Sequence, residues 1–190
     1  AMYKVYSNIF QLKLKEIEYT NELKTNFEEI FKFLEEKPKI LFIPNPNQPI
    51  EDTLNIDQLK KIVQCALKNN CLVVVDEAYH YFGADSSLSL IDEYENVIVA
   101  RTFSKAFGVP SIRLGFLATN LANMNKLSKT RFAHESNALS NAVANYLINN
   151  FKIIDSYLKE IINSRNLLKK ELGELGIKAR GETGNYLLLD

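Results

Sequence analysis

The chain has 190 residues, enough for one domain, or for one and part of a second. With 46% hydrophobic and 11% aromatic residues it can bury a real core, and 23 basic against 23 acidic residues leave a formal net charge of zero, which gives no support for a nucleic-acid or anionic-membrane surface. No apolar run reaches the roughly 18 residues of a membrane helix, no cleavable signal opens the chain, and Cys65 and Cys71 read as small core residues of a reducing compartment, so the expectation is a soluble cytoplasmic protein.

Met2, Tyr3, Tyr6, Ile9 and Phe10 recur at helical spacing. "QLKLKEIEY" then alternates, Leu12 and Leu14 against Lys13 and Lys15, which predicts a half-exposed strand. Asn26 can cap a helix, with Glu29 three residues on and Phe27, Ile30, Phe31 and Leu34 as its apolar face. Pro38 blocks its continuation. "KILFIPNP" is a short apolar run that stops at prolines, a buried strand leading into a rigid loop. Ile56, Leu59, Ile62, Val63, Ala66 and Leu67 mark a second amphipathic helix. "CLVVVDEAY" and "NVIVARTFSK" are buried strands that turn abruptly polar, and "LGFLATN" reads as one more strand. Residues 121–150 are predicted helical. A long helix follows over about 152–174, and "GNYLLLD" ends the sequence as a strand that leads nowhere.

Continuous apolar strands between amphipathic helices indicate an α/β fold with a largely parallel sheet covered on both faces. No repeat, low-complexity tract or flexible linker is visible. The long helix marks the passage out of the main domain, which divides the chain into residues 1–150 and 151–190.

In such sheets ligands bind beyond the carboxyl ends of the strands. There the first strand leads into "PNPNQP" with Gln48, the second offers Asp76, Glu77 and Tyr79, and the third Thr102, Ser104 and Lys105. Arg113 follows a short loop and can return to the same crevice. A carboxylate holds a proton on a ring nitrogen, and a tyrosine three residues later can donate to a phenolic oxygen. Hydroxyls with a guanidinium suit a phosphate, and a lysine amine forms a Schiff base with an aldehyde. Together these are the needs of pyridoxal phosphate.

"SKAFGVPSIRLGF" resembles the S-K-x-x-G-x-x-x-x-R-x-G motif of the class I/II, fold-type I aminotransferases. "VVVDEAYHYF" resembles their D-x-x-Y segment and "NPNQPIEDT" their N-P-x-N-P-T-G loop, in the same order, and the histidinol-phosphate aminotransferases are the most similar branch. The resemblance implies a three-layer α/β/α large domain over residues 1–150 and the start of a small C-terminal domain over 151–190. It implies Lys105 as the Schiff-base lysine and proton shuttle, Asp76 on the pyridine nitrogen, Tyr79 and Gln48 on the phenolic oxygen, and Thr102, Ser104 and Arg113 on the phosphate. It further implies amino acid and keto acid or aldehyde substrates, one of them phosphorylated, and a homodimer with active sites at the subunit boundary.

The sequence departs from the family where Gln48 replaces an asparagine and where Ile50 and Glu51 replace Thr-Gly. By the same resemblance the 190 residues are the middle of a larger enzyme, about half of it. The upstream part would carry a phosphate-cup glycine loop and a ring-stacking aromatic just before Ala1. The downstream part would carry the arginine for the substrate carboxylate.

Plain structural roles stay open beside these: Asp76 as a helix cap, Tyr79 in the core, Gln48 as a loop residue, Thr102 and Ser104 in loop hydrogen bonds. Glu77 reads as structural or solvated, Arg180 as a surface residue, and Lys60, Lys61, Lys169 and Lys170 as solvated helix faces. His80 and His134 have no partner at metal-ligand spacing, so no metal is expected. Three rival functions remain: a decarboxylase of a phosphorylated amino acid on the same scaffold, a non-catalytic sensor that binds the cofactor, and a cofactor-free binding module.

Overall fold

A computed structural model of the chain describes residues 2–131 and 135–189. His134 lies outside the described residues, as does part of the segment predicted helical over 121–150.

The element order begins with helix α1 (Met2–Ile9), helix α2 (Phe27–Glu35) and strand β1 (Ile40–Pro44). Helix α3 (Ile56–Lys68), strand β2 (Leu72–Asp76), a short helix α4 (Leu90–Glu93) and strand β3 (Val97–Thr102) follow. Strand β4 (Gly115–Thr119), helices α5 (Leu121–Leu127), α6 (Ala138–Asn149) and α7 (Phe151–Glu174), and strands β5 (Ala179–Arg180) and β6 (Leu188–Leu189) complete it. The sheet order is β1-β2-β3-β4. β1, β2 and β3 run parallel, with Pro44 level with Asp76 and Asp76 level with Ala100, and β4 returns antiparallel with Gly115 opposite Thr102.

The helices start where the sequence provides caps. Asn26 Oδ1 accepts the Glu29 N–H at 3.1 Å. Asn55 and Gln58 form a reciprocal pair of bonds at the head of α3, satisfying two backbone donors that a bare helix end leaves unpaired.

Side chains of a strand alternate between faces. Leu41 and Ile43 of β1, Val73 and Val75 of β2, and Val97 and Val99 of β3 share one face. They pack against Ile30 and Leu34 of α2, Leu59, Ile62, Val63 and Ala66 of α3, and Leu90 of α4. Burying each large side chain in this layer contributes about 1.5–3 kcal/mol. The opposite face carries Phe42, and α1 lies against it with the Tyr3 and Phe42 ring centroids 4.9 Å apart. Helices thus contribute to both faces, as the apolar strands predict.

Two expectations fail locally. Residues 11–19 form no strand, although they alternate. β1 pairs only with β2 among the described residues, so this stretch has no neighbour to complete a ladder, and Leu12 and Leu14 stay exposed at 62% and 39%. Among the described residues of the final "GNYLLLD", Leu188–Leu189 form the strand, and it does lead somewhere: it pairs antiparallel with Ala179–Arg180.

Among the described residues no helix is long and apolar enough to cross a membrane. Both cysteines are free, and burial pushes the Cys71 thiol up to about 11.

The core face ends in a charge pair. One residue beyond Val75 and Asp76 stands Glu77, its side chain fully buried, and Arg101 Nη2 reaches its Oε2 at 2.8 Å. Arg101 Nε donates to the same oxygen at 3.0 Å, while Nη2 and Nη1 also bond Ser86 Oγ and the Tyr81 hydroxyl. Ser87 N–H donates to Glu77 Oε1. Glu77 is therefore structural rather than solvated. Removing one partner leaves a buried charge uncompensated, which costs about 3–5 kcal/mol. Arg101→Met is expected to lower the urea midpoint of the full-length protein accordingly, and Glu77→Leu with Arg101→Met to recover most of that loss.

Candidate functional site

Parallel pairing brings the carboxyl ends of β1, β2 and β3 to one sheet edge. Because neighbours on a strand face opposite ways, Asp76 shares the face of Val74 while Glu77 shares that of Val75. Asp76 ends β2 half-buried. Its Oδ1 accepts the Ala78 N–H at 3.1 Å and its Oδ2 accepts the Tyr3 hydroxyl at 2.5 Å.

Tyr79 is buried in the turn that follows, and its hydroxyl donates to Gln48 Oε1 at 2.6 Å. The loop after β1 and the loop after β2 therefore meet through these two side chains. Asn45, fully buried, fixes the first of these loops: its side chain donates to Leu54 O at 3.0 Å and accepts the Leu54 N–H at 2.8 Å.

Lys105 sits at the apex of a loop pinned from both sides. Phe103 and Phe107 are buried, with ring centroids 4.6 Å apart, so the two residues that flank the lysine at a distance of two are anchored together. Gly108 closes the turn by donating its N–H to Lys105 O at 3.0 Å, at a φ of +68° that favours glycine. Lys105 Nζ lies 5.1 Å from the Tyr79 ring centroid, within cation–π range.

Thr102 ends β3. Its Oγ1 accepts the Ser104 N–H at 3.1 Å, which places Ser104 beside the lysine on the same loop. Arg113 takes a left-handed conformation, φ 50°, and is exposed. Its Nη1 donates to Pro110 O at 3.0 Å, so the guanidinium is turned onto its own loop. Tyr79, Gln48 and Lys105 are thus linked by direct contacts, Asp76 ends the strand that leads into Tyr79 and is held by Tyr3 and Ala78, Thr102 and Ser104 lie on the lysine loop, and the Arg113 guanidinium is bonded within its own turn.

The sequence model of the class I and II aminotransferases matches residues 1–190. The chain belongs to this family. It is 34% identical to the histidinol-phosphate aminotransferase of Clostridium novyi (strain NT), over all of this chain and 53% of that protein. The chain spans about half the length of the curated relatives it matches. Its fold superposes with a TM-score of 0.90 on the histidinol-phosphate aminotransferase of Sinorhizobium meliloti in complex with pyridoxal-5'-phosphate, at 20% identity, covering 99% of this chain and 52% of that one. A decarboxylase from Sulfurospirillum multivorans shares the fold at a TM-score of 0.69 and 23% identity, over 88% of this chain and 50% of that one.

In this member of the aminotransferase family, three side chains at the site carry no signal that sequence reasoning used. Tyr3, read only as a helix position, caps Asp76. Tyr186 stands edge-on to Tyr79 with centroids 5.4 Å apart, donates its hydroxyl to Asn47 O at 3.0 Å, and has its acidity weakened by burial and by the Glu51 charge. Glu51, noted only as a departure from Thr-Gly, accepts the N–H groups of Glu182 and Thr183, the latter at 2.7 Å. A Cβ on Gly184 would stand 2.7 Å from Glu51 Oε1 and 2.4 Å from Tyr186 Cε1, so glycine there is required by packing. Glu51 thus ties the segment before β6 to the loop that presents Gln48. Hydrogen bonds to a carboxylate are worth about 1.5–3 kcal/mol. Glu51→Ala is expected to speed amide hydrogen exchange at Glu182 and Thr183 by about tenfold or more, with the exchange of β2 and β3 unchanged.

Proposed function

We propose that this chain is the cofactor-anchoring half of a pyridoxal-phosphate-dependent aminotransferase that moves an amino group between a phosphorylated amine of the histidinol-phosphate type and a keto acid. The observation that carries the reading is what gathers at one sheet edge: the Asp76 carboxylate at the end of β2, and the Tyr79–Gln48 pair with the Lys105 amine over the Tyr79 ring. That donor set fits pyridoxal phosphate, which needs an acceptor for its ring N–H, a donor for its phenolic oxygen and an amine for its aldehyde.

When bound, pyridoxal phosphate supplies an electron-withdrawing ring that takes up the electron pair left when a bond to the substrate Cα breaks. The chain's residues do the rest. Asp76 would keep the proton on the ring nitrogen. Tyr79 would donate its hydroxyl to the phenolic oxygen by giving up its bond to Gln48 Oε1, which leaves the Gln48 amide beside it as a second donor. Lys105 would hold the group by its aldehyde, and its amine would move a proton at the substrate Cα as general base and acid. Thr102 and Ser104 offer hydroxyls to the phosphate, and Arg113 joins them by giving up its bond to Pro110.

Residues 1–150 form the large domain and 151–190 the link to a small one, with α7 as the passage. The whole enzyme is a homodimer of the cytoplasm, with the carboxylate of the keto acid met by residues outside this chain. The similarity to histidinol-phosphate aminotransferases supports a phosphorylated amino donor of that type.

The test uses the full-length protein loaded with pyridoxal phosphate and histidinol phosphate as sole substrate. The expected outcome is conversion of the bound cofactor to its amine form, visible by absorbance, and its return on adding 2-oxoglutarate. Lys105→Ala is expected to slow the proton transfer by about 10²-fold or more. Release of carbon dioxide from a phosphorylated amino acid, with no keto acid present, would assign decarboxylation instead. Binding of the cofactor with no amino donor turned over would assign a sensor.

A further inference from the structure

α1 buries none of its residues completely, yet it sends one phenol to the carboxylate at the end of β2. The Tyr3 hydroxyl donates to Asp76 Oδ2 at 2.5 Å, and the Tyr3 ring lies tilted by 35° against Phe42 at 4.9 Å. Phe42 is level with Val74, on the face that Asp76 shares, so ring and hydroxyl of Tyr3 follow the same side of the sheet.

A carboxylate has about four lone-pair positions. Two are engaged here, one on each oxygen, by Ala78 N–H and the Tyr3 hydroxyl. Two donors on different oxygens fix the rotation of the carboxylate, and each oxygen keeps a further lone pair for a ring N–H. Burial, then the nearby Asp76 charge, hold the Tyr3 phenol far from ionisation, so it serves as a constant donor.

We propose that Tyr3 is a positioning residue that sets the orientation of Asp76 toward the ring nitrogen of the cofactor. The inference rests on the assignment of Asp76 to that nitrogen. Tyr3 acts through the carboxylate and touches no reacting atom.

The test is equilibrium binding to the full-length protein of two probes, pyridoxal phosphate and its analogue with a ring C–H in place of the nitrogen. Tyr3→Phe keeps the ring against Phe42 and removes only the hydroxyl. The expected result is a Kd for pyridoxal phosphate raised about fivefold, the size of one ordinary hydrogen bond, with the Kd of the carbon analogue unchanged. In an Asp76→Asn background the preference for the nitrogen-bearing probe is expected to vanish, and Tyr3→Phe to have no further effect. Equal weakening of both probes by Tyr3→Phe would reduce Tyr3 to a packing residue and overturn the proposal, as would no change in either. If Asp76→Asn leaves the preference between probes intact, the assignment of Asp76 itself fails. If the preference depends on Asp76 but not on Tyr3, only the role of Tyr3 fails.

Discussion

Adjacent residues of an extended strand point to opposite faces, and at the end of β2 this separates two neighbouring carboxylates. Glu77 continues the apolar row of Val73 and Val75 into the core, where Arg101 meets it beyond Val97 and Val99. Asp76 continues the other row, toward α1 and the open edge. A one-residue slip in β2 would exchange the two. The buried pair guards against that slip, because only Glu77 has a guanidinium and the Ser86–Ser87 turn waiting for it.

Around that division the loops are held by few contacts, each between distant parts of the chain. Phe103 and Phe107 anchor the lysine loop in a cluster with Tyr79, Phe82, Ala144 of α6, and Ile154 and Leu158 of α7. Tyr186 closes on Tyr79 from the segment before β6, and Arg165 of α7 donates to Gly184 O at 2.8 Å. The same aromatic cluster therefore packs the lysine loop against the helix that leads toward the C-terminal segment. Displacing α7 would disturb Lys105 before it disturbed the β1–β3 core, whose packing partners are α2, α3 and α4.

The sheet and its helices were legible because their signals are local: apolar runs that stop at Pro44, Asp76 and Thr102, and caps at Asn26 and Asn55. The shared position of the candidate residues was legible too, since parallel strands put their carboxyl ends on one edge. What stayed hidden depends on partners remote in sequence. Tyr3 and Asp76 are 73 positions apart, Glu51 and Thr183 132, and Asn47 and Tyr186 139. No period or motif announces such pairs. The alternation of residues 11–15 misled for the reverse reason: a local pattern is no strand without a neighbour to receive its hydrogen bonds. For Arg113 the resemblance implies the phosphate as partner, and what no motif announced is its own bond to Pro110 O within a left-handed turn.

The central claim is that Lys105 is the residue to which the cofactor is joined. Reduction of the full-length protein with borohydride after addition of pyridoxal phosphate, followed by peptide mapping by mass spectrometry, tests it most directly. The account predicts a pyridoxyl group on Lys105 that disappears in Lys105→Ala. A stable adduct on another lysine, or none at all with the fold intact, would contradict it.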